Sequence, residues 1–170
     1  MKHIHLVTGG QRSGKSSYAE RLALSLSPTP IYLATSRVWD EEHRHRIEIH
    51  KERRKANSWI NIEEDKKLSK IQAEGQVVLI DCVTLWATNF FYDLESNVDQ
   101  ALTALKDEFD LFTQQNAYFI FVTNEIGMGE MSINQVQRRF ADLQGWLNQY
   151  IASQANEVTL MVSGIPLKIK

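Results

Sequence analysis

Gly9, four further residues, then Gly14, Lys15 and Ser16 place three kinds of phosphate-binding group within one short stretch. Glycines at such spacing let backbone N–H groups turn inward around phosphate oxygens. A helix beginning near Gly14 would aim its unpaired N–H groups and positive dipole end at the same oxygens. Lys15 has the reach and charge for β- and γ-phosphates, and the Ser16 hydroxyl is a ligand for Mg²⁺. The pattern follows an apolar stretch, His3 to Thr8, so it sits in the strand–loop–helix setting that a P-loop requires. The plain alternative is a glycine turn before an ordinary helix.

Two further places carry residues of the right type. Asp81 ends an apolar run and, beside a P-loop strand, could hold Mg²⁺ directly or through water, or accept from a nucleotide ribose. A helix-capping aspartate is the structural alternative. His50 stands in Arg46-Ile47-Glu48-Ile49-His50-Lys51-Glu52-Arg53-Arg54. A neutral imidazole there is a competent nucleophile toward an α-phosphorus, with cations alongside to stabilise oxyanion charge and pyrophosphate. A surface histidine on a solvated basic helix is the competing reading. Asn124 and Glu125 precede two close glycines, Gly127 and Gly129, which suits either a tight turn or an active-site loop. His3 and His5 read as structural, and His43 and His45 have no convincing set of metal-ligand partners.

The elements that must position these residues are legible as continuous apolar runs. Residues 31–35, 77–81, 118–123 and 158–162 join 3–8 as strands buried on both faces of a parallel sheet. Ser132 is the expected N-cap of a helix to about Ser153, with Ile133, Val136, Phe140, Leu143, Leu147 and Ile151 as its apolar stripe. A second helix is expected over about 99–114, with Leu102, Leu105, Phe109 and Phe112 inward. The tail Leu167–Lys170 alternates and suits an edge strand. Strand–helix alternation predicts an α/β P-loop fold with a mostly parallel central sheet and helices on both faces. The basic segment from Arg37 to Glu64 follows the second strand, and parallel sheets gather active-site residues beyond their carboxyl ends.

At 170 residues, one nucleotide-binding catalytic domain over 1–170 is expected. A net charge of −2 provides no signal for nucleic acid. The single cysteine, Cys82, excludes an intramolecular disulfide framework and reads as a packing thiol. No signal-peptide pattern and no run of about 18 apolar residues is present, so a cytoplasmic protein without a membrane span is expected.

Several blocks then coincide in order: the loop from Thr8 to Ser16, Tyr32 to Ser36, Arg46 to Lys51 with Arg54 and Trp59, Val122 to Gly129, and Val162 to Lys170. Together they resemble the adenosylcobinamide kinase/adenosylcobinamide-phosphate guanylyltransferase family over essentially the whole chain. The resemblance implies phosphorylation of adenosylcobinamide by ATP or GTP, then transfer of GMP from GTP to adenosylcobinamide phosphate through a guanylylated histidine. It implies His50 as that histidine and Lys15 as its catalytic companion in the phosphate cradle. Gly9, Gly10, Gln11, Arg12, Ser13, Gly14, Lys15 and Ser16 would hold phosphates. Thr35, Ser36, Arg37, Lys51, Glu52, Arg53, Arg54, Glu63 and Asp81 would be further nucleotide contacts, with Ser16 and Asp81 on Mg²⁺. A homo-oligomer, a trimer by resemblance, is also implied. The chain departs from the pattern at Ile49-His50, where members often have two histidines, at Asp81, often glutamate, and at Glu52-Arg53, often Asp-Gly. A GTP-binding regulatory switch, or a small-molecule kinase without guanylyl transfer, is the alternative.

Overall fold

The structure is a computed structural model. It describes the chain except residues 39, 40 and 57 and the side chains of residues 42, 43, 46, 50, 51 and 53. The elements run β1 (His3–Gly9), α1 (Lys15–Leu26), β2 (Ile31–Ala34), α2 (Glu41–Arg54), β3 (Ile60–Glu63), β4 (Val77–Asp81), α3 (Val83–Asp93), α4 (Val98–Phe112), β5 (Tyr118–Val122), α5 (Gln135–Gln154), β6 (Glu157–Val162) and β7 (Ile165–Lys168).

The strands form one seven-stranded sheet in the order β3-β2-β4-β5-β1-β6-β7. All neighbours pair in parallel except β7, which returns antiparallel along β6. Alternate side chains on each strand face opposite ways, so the apolar runs divide between two cores. Ile4, Leu6, Leu33, Ile80, Phe119 and Phe121 enter a core closed by α3, α4 and α5 through residues such as Trp86, Phe109 and Leu147. Val7, Tyr32, Leu79, Ile120 and Val122 enter the other, where Ala19 and Ala23 of α1 pack without bulk. Helices therefore cover both faces, as the continuous runs require.

Three expectations need correction. The cap of α5 is Asn134, not Ser132: its Oδ1 accepts from the backbone N–H groups of Val136 at 2.9 Å and Gln137 at 3.2 Å. Ser132 lies outside the helix, where its hydroxyl accepts from the N–H of Asn134 at 3.1 Å. The inward stripe of α5 consequently starts late. Ile133 precedes the helix and is 99% exposed, and Val136 is also exposed, whereas Leu143, Leu147 and Ile151 are buried. Finally, β4 does not lie beside β1. β5 runs between them, with Val122 in register with both Val7 and Asp81. Asp81 is thus two strand spacings, roughly 9–10 Å, from the P-loop strand.

Candidate active site

The parallel strands end on one side of the sheet, and the chain turns there from Gly9 into α1. Gly14 caps α1 with φ 95° and no side chain accepts from the first-turn N–H groups. Gly9 has φ 151°, and a Cβ on it would stand 2.6 Å from the Met161 carbonyl oxygen. A Cβ on Gly14 would meet the Gly164 Cα at 3.2 Å. Both glycines are therefore demanded by the neighbouring backbone. The loop is braced on two flanks. The Gly164 N–H, in the turn between β6 and β7, donates to the Ser13 carbonyl at 2.9 Å, and the Glu125 N–H donates to the Gly9 carbonyl at 2.9 Å. Within this frame the Ser13 hydroxyl is buried and has no hydrogen-bond partner among the described residues. Such a group is costly to leave unpaired, and a phosphate oxygen would satisfy it. Gly10, Gln11 and Arg12 are exposed at the loop's rim, and Ser16 is half-buried one residue into α1.

Lys15 is buried, and its ammonium donates to the Gly10 carbonyl at 2.6 Å. Burial pushes its pKa down, and the Asp81 carboxylate opposes that shift. A cation folded onto its own loop in this way gains a stronger partner when phosphate enters.

Asp81 does not cap α3; the capping position is Cys82 and no side chain is used. The Asp81 carboxylate instead accepts from the Tyr32 hydroxyl through Oδ2. The Tyr32 ring lies under the Arg54 guanidinium, with Cζ 3.4 Å from its centroid, and meets Trp59 edge-on at 5.7 Å. Arg54 is buried, donates through Nε to Asn61 Oδ1 at 3.2 Å, and has one buried nitrogen, Nη1, without a partner among the described residues. Among the described side chains of α2, Arg54 alone is buried, so the basic helix is tied down at its C-terminal end. Ser16 and Asp81 offer hydroxyl and carboxylate oxygens, the hard donors that Mg²⁺ takes alongside phosphates and water.

The remaining expected contacts divide. Thr35 is buried; its hydroxyl donates to the Cys82 carbonyl at 2.8 Å and accepts from the Cys82 N–H at 3.0 Å, locking the ends of β2 and β4 together. Burial raises the Cys82 thiol pKa to about 12, as suits a packing thiol. Arg37 bonds Asp93 twice, at 2.7 and 2.8 Å, and also Asp65. The adjacent Ser36 hydroxyl donates to the Arg37 carbonyl at 2.9 Å. Glu63 ends β3, and Glu52 is exposed and pairs with Lys55 at 2.5 Å. The His50, Lys51 and Arg53 side chains lie outside the described residues, though all three belong to α2. Tyr32, Asp65 and Asp93 were not among the contacts expected from sequence. A tyrosine in an otherwise aliphatic strand, one strand from Asp81, is the signal that Tyr32 offered.

A glycine cradle after the first strand of a parallel sheet, with a buried lysine turned into it, defines a P-loop nucleotide-binding α/β protein. The chain belongs to the cobinamide kinase/cobinamide phosphate guanyltransferase family, whose model matches residues 5–169. It is 38% identical to the bifunctional adenosylcobalamin biosynthesis protein CobP of Pseudomonas aeruginosa, covering 97% of this chain and 96% of that one. It is 39% identical to the bifunctional adenosylcobalamin biosynthesis protein CobU of Escherichia coli, over 97% and 98% of the two chains. Among solved structures, an ATPase domain matches with a TM-score of 0.46 at 12% identity, over 94% of this chain and 69% of that one. The protein is accordingly an enzyme with the kinase and guanylyltransferase activities that define its family.

Proposed function

We propose that both activities use the one phosphate cradle from Gly9 to Ser16, within a single catalytic domain. In the kinase step ATP or GTP lies with its β- and γ-phosphates on Lys15 and the N-terminus of α1. The adenosylcobinamide hydroxyl oxygen attacks the γ-phosphorus and loses its proton to solvent, the bond to the β-phosphate bridging oxygen breaks, and a nucleoside diphosphate leaves. In the second reaction a nitrogen of His50 attacks the α-phosphorus of GTP, the bond to pyrophosphate breaks, and GMP is carried on the histidine. A phosphate oxygen of adenosylcobinamide phosphate then displaces the histidine and yields adenosylcobinamide-GDP.

The observation that carries this reading is the buried Lys15 ammonium on the Gly10 carbonyl, beside an unpaired Ser13 hydroxyl. Both groups gain a partner on phosphate binding. Ser16 and Asp81 would hold Mg²⁺, which neutralises developing charge on the transferred groups. Thr35, Ser36, Arg37, Lys51, Glu52, Arg53, Arg54 and Glu63 are the further nucleotide contacts of this reading. Among the described residues no helix is long and apolar enough to cross a membrane, and we place the enzyme in the cytoplasm, as a homo-oligomer.

Incubation with α-labelled GTP and Mg²⁺ tests the covalent step. Acid-labile, base-stable label on the protein is expected. A catalytically active preparation that never acquires such label would reduce the chain to a kinase without a histidine intermediate.

A further inference from the structure

A cleft of about 850 Å³ opens between helices and a loop that is itself bonded to the phosphate cradle. Its walls come from α3, from the loop after β5 and from the start of α5, and include Phe91, Tyr92, Ile126, Met131, Val136 and Phe140. This volume is at the upper end of the range for small-molecule sites, roughly 300–1,000 Å³. Its place follows from the backbone. The loop leaves β5 at the end of the sheet that carries the cradle, and the Glu125 N–H is bonded to Gly9. The Asn124 N–H donates to the Thr84 hydroxyl at 3.0 Å, which fastens the same loop to α3. The cleft lining begins at Ile126, next in the chain after Glu125, and on α3 one turn after Thr84, at Thr88.

The charges around the cleft are those of a site that rejects phosphate. Glu130 and Asp142 line it together with Arg138. Arg138 turns its Nη1 to the Ser132 and Ile133 carbonyls, at 2.9 and 2.8 Å. Among the described lining residues two carboxylates stand against one guanidinium, a balance that disfavours a nucleotide. A broad ligand with apolar faces, hydrogen-bonding amides at its edge and no negative charge would fit it. Adenosylcobinamide is such a ligand. Co(III), a corrin monoanion and one alkyl carbanion ligand leave a net single positive charge on a wide ring rimmed with carboxamides.

We propose that this cleft seats the corrin ring of the acceptor, with its hydroxyl-bearing arm reaching over Glu125 to the phosphate cradle. The inference rests on the kinase and guanylyltransferase reading above. It assigns Phe140 and Ile126 to the ring face, Gln137 to the amide rim, and Glu130 and Asp142 to the ligand's positive charge.

The test uses the full chain and two exposed cleft residues, with Met131→Lys and Val136→Lys as variants. Each places a cation against a cationic ligand without disturbing a buried contact. Binding of adenosylcobinamide is measured by equilibrium dialysis through corrin absorbance, and GTP binding is measured separately. Both variants should lose about tenfold or more in corrinoid affinity. Met131→Leu should restore wild-type binding, and affinity for GTP should not change. Folded lysine variants that bind the corrinoid as tightly as wild type would overturn the cleft assignment alone. So would variants that change only the mass of the assembly in solution, because the face would then pack against a second copy. Wild-type protein that binds GTP but no corrinoid would overturn the cleft and the functional reading together.

Discussion

The Tyr32 hydroxyl donates to Asp81 Oδ2, from the neighbouring strand β2. One carboxylate oxygen of Asp81 is thereby held within the protein, which fixes the orientation of the carboxylate. Burial and the charge of Asp81 push the Tyr32 pKa well above its usual value, so the phenol stays a donor throughout the working pH range. Because Arg54 stacks on the same ring, one tyrosine connects the carboxylate to the end of the helix that carries His50.

Tyr32→Phe keeps the ring under Arg54 and removes only the hydroxyl. If Asp81 holds Mg²⁺, the variant should need about three- to tenfold more Mg²⁺ for half-maximal rate in both reactions, from the loss of one hydrogen bond to a charged group. Asp81→Asn should shift the Mg²⁺ titration in the same direction and further, since an amide is a poorer ligand for a hard cation. Should nucleotide affinity change in Asp81→Asn while the metal dependence stays put, the carboxylate serves ribose instead.

Lys15→Ala should lower both activities by at least about two orders of magnitude, because charge on the phosphates loses its buried counter-ion in ground and transition states. The fold should survive, as the substitution removes a desolvated cation rather than an apolar core residue. Steady-state rates beside circular dichroism decide this. Near-normal turnover by folded Lys15→Ala protein would end the P-loop assignment.

The two glycines at the head of the loop should respond differently to the same methyl group. Gly9→Ala meets the Met161 carbonyl and a positive φ, and should cost on the order of 2–3 kcal/mol together with nucleotide binding. At Gly10 a Cβ meets nothing within 4 Å, so Gly10→Ala should change stability by no more than about 1 kcal/mol. Denaturant midpoints of the two variants, measured without nucleotide, test the contrast.

His5 provides a pH dependence away from the site. It is buried against the Thr159 hydroxyl at 2.8 Å and the Tyr118 hydroxyl at 3.4 Å. Burial lowers its pKa below 6.5, with Glu157 opposing and His3 and Lys168 assisting. Below about pH 6.5 the unfolded chain takes up a proton that the folded chain refuses, so stability falls as pH drops from there to the folded pKa. His5→Gln should flatten that part of the profile. Urea midpoints at pH 7.5 and 5.5 give the comparison, and an equal loss in both proteins would assign the effect to other groups.

The sheet was legible where strands are buried on both faces, because runs such as Val77–Ile80 and Phe119–Val122 have no polar interruption. β3 was not, because among the described residues it pairs on one side only, and Asn61 interrupts the run of Trp59, an exposed Ile60 and Ile62. α3 escaped notice for the opposite reason. Asn89 is buried along with Trp86, Phe90 and Phe91, so the helix shows no clean polar face to mark its period. The P-loop could be read residue by residue because its chemistry is local. The strand between Asp81 and the cradle could not, because strand order is set by packing among distant segments. Tyr32 belongs to the same class: its hydroxyl finds Asp81 across 49 residues of sequence.

His50 carries the sharpest expectation. Its side chain lies outside the described residues, and the expectation follows from the chemistry of the two reactions. A phosphoryl transfer on a P-loop requires positioning and charge stabilisation, which our proposal assigns to Lys15, the α1 N-terminus and Mg²⁺. Guanylyl transfer through a covalent intermediate also requires a nucleophile. His50→Ala and His50→Asn should therefore abolish protein-bound GMP and guanylyl transfer while phosphorylation of adenosylcobinamide persists at least in part. Asn tests the point more strictly than Ala, because it keeps a polar side chain of similar reach but has no nucleophilic nitrogen. The two activities would separate in one substitution, measured by GMP labelling and by corrinoid phosphorylation in the same preparation. A folded His50→Ala enzyme that still acquires GMP would move the nucleophile to another residue. Loss of both activities in His50→Asn, with GTP affinity intact, would mean that the imidazole also serves the γ-phosphoryl transfer.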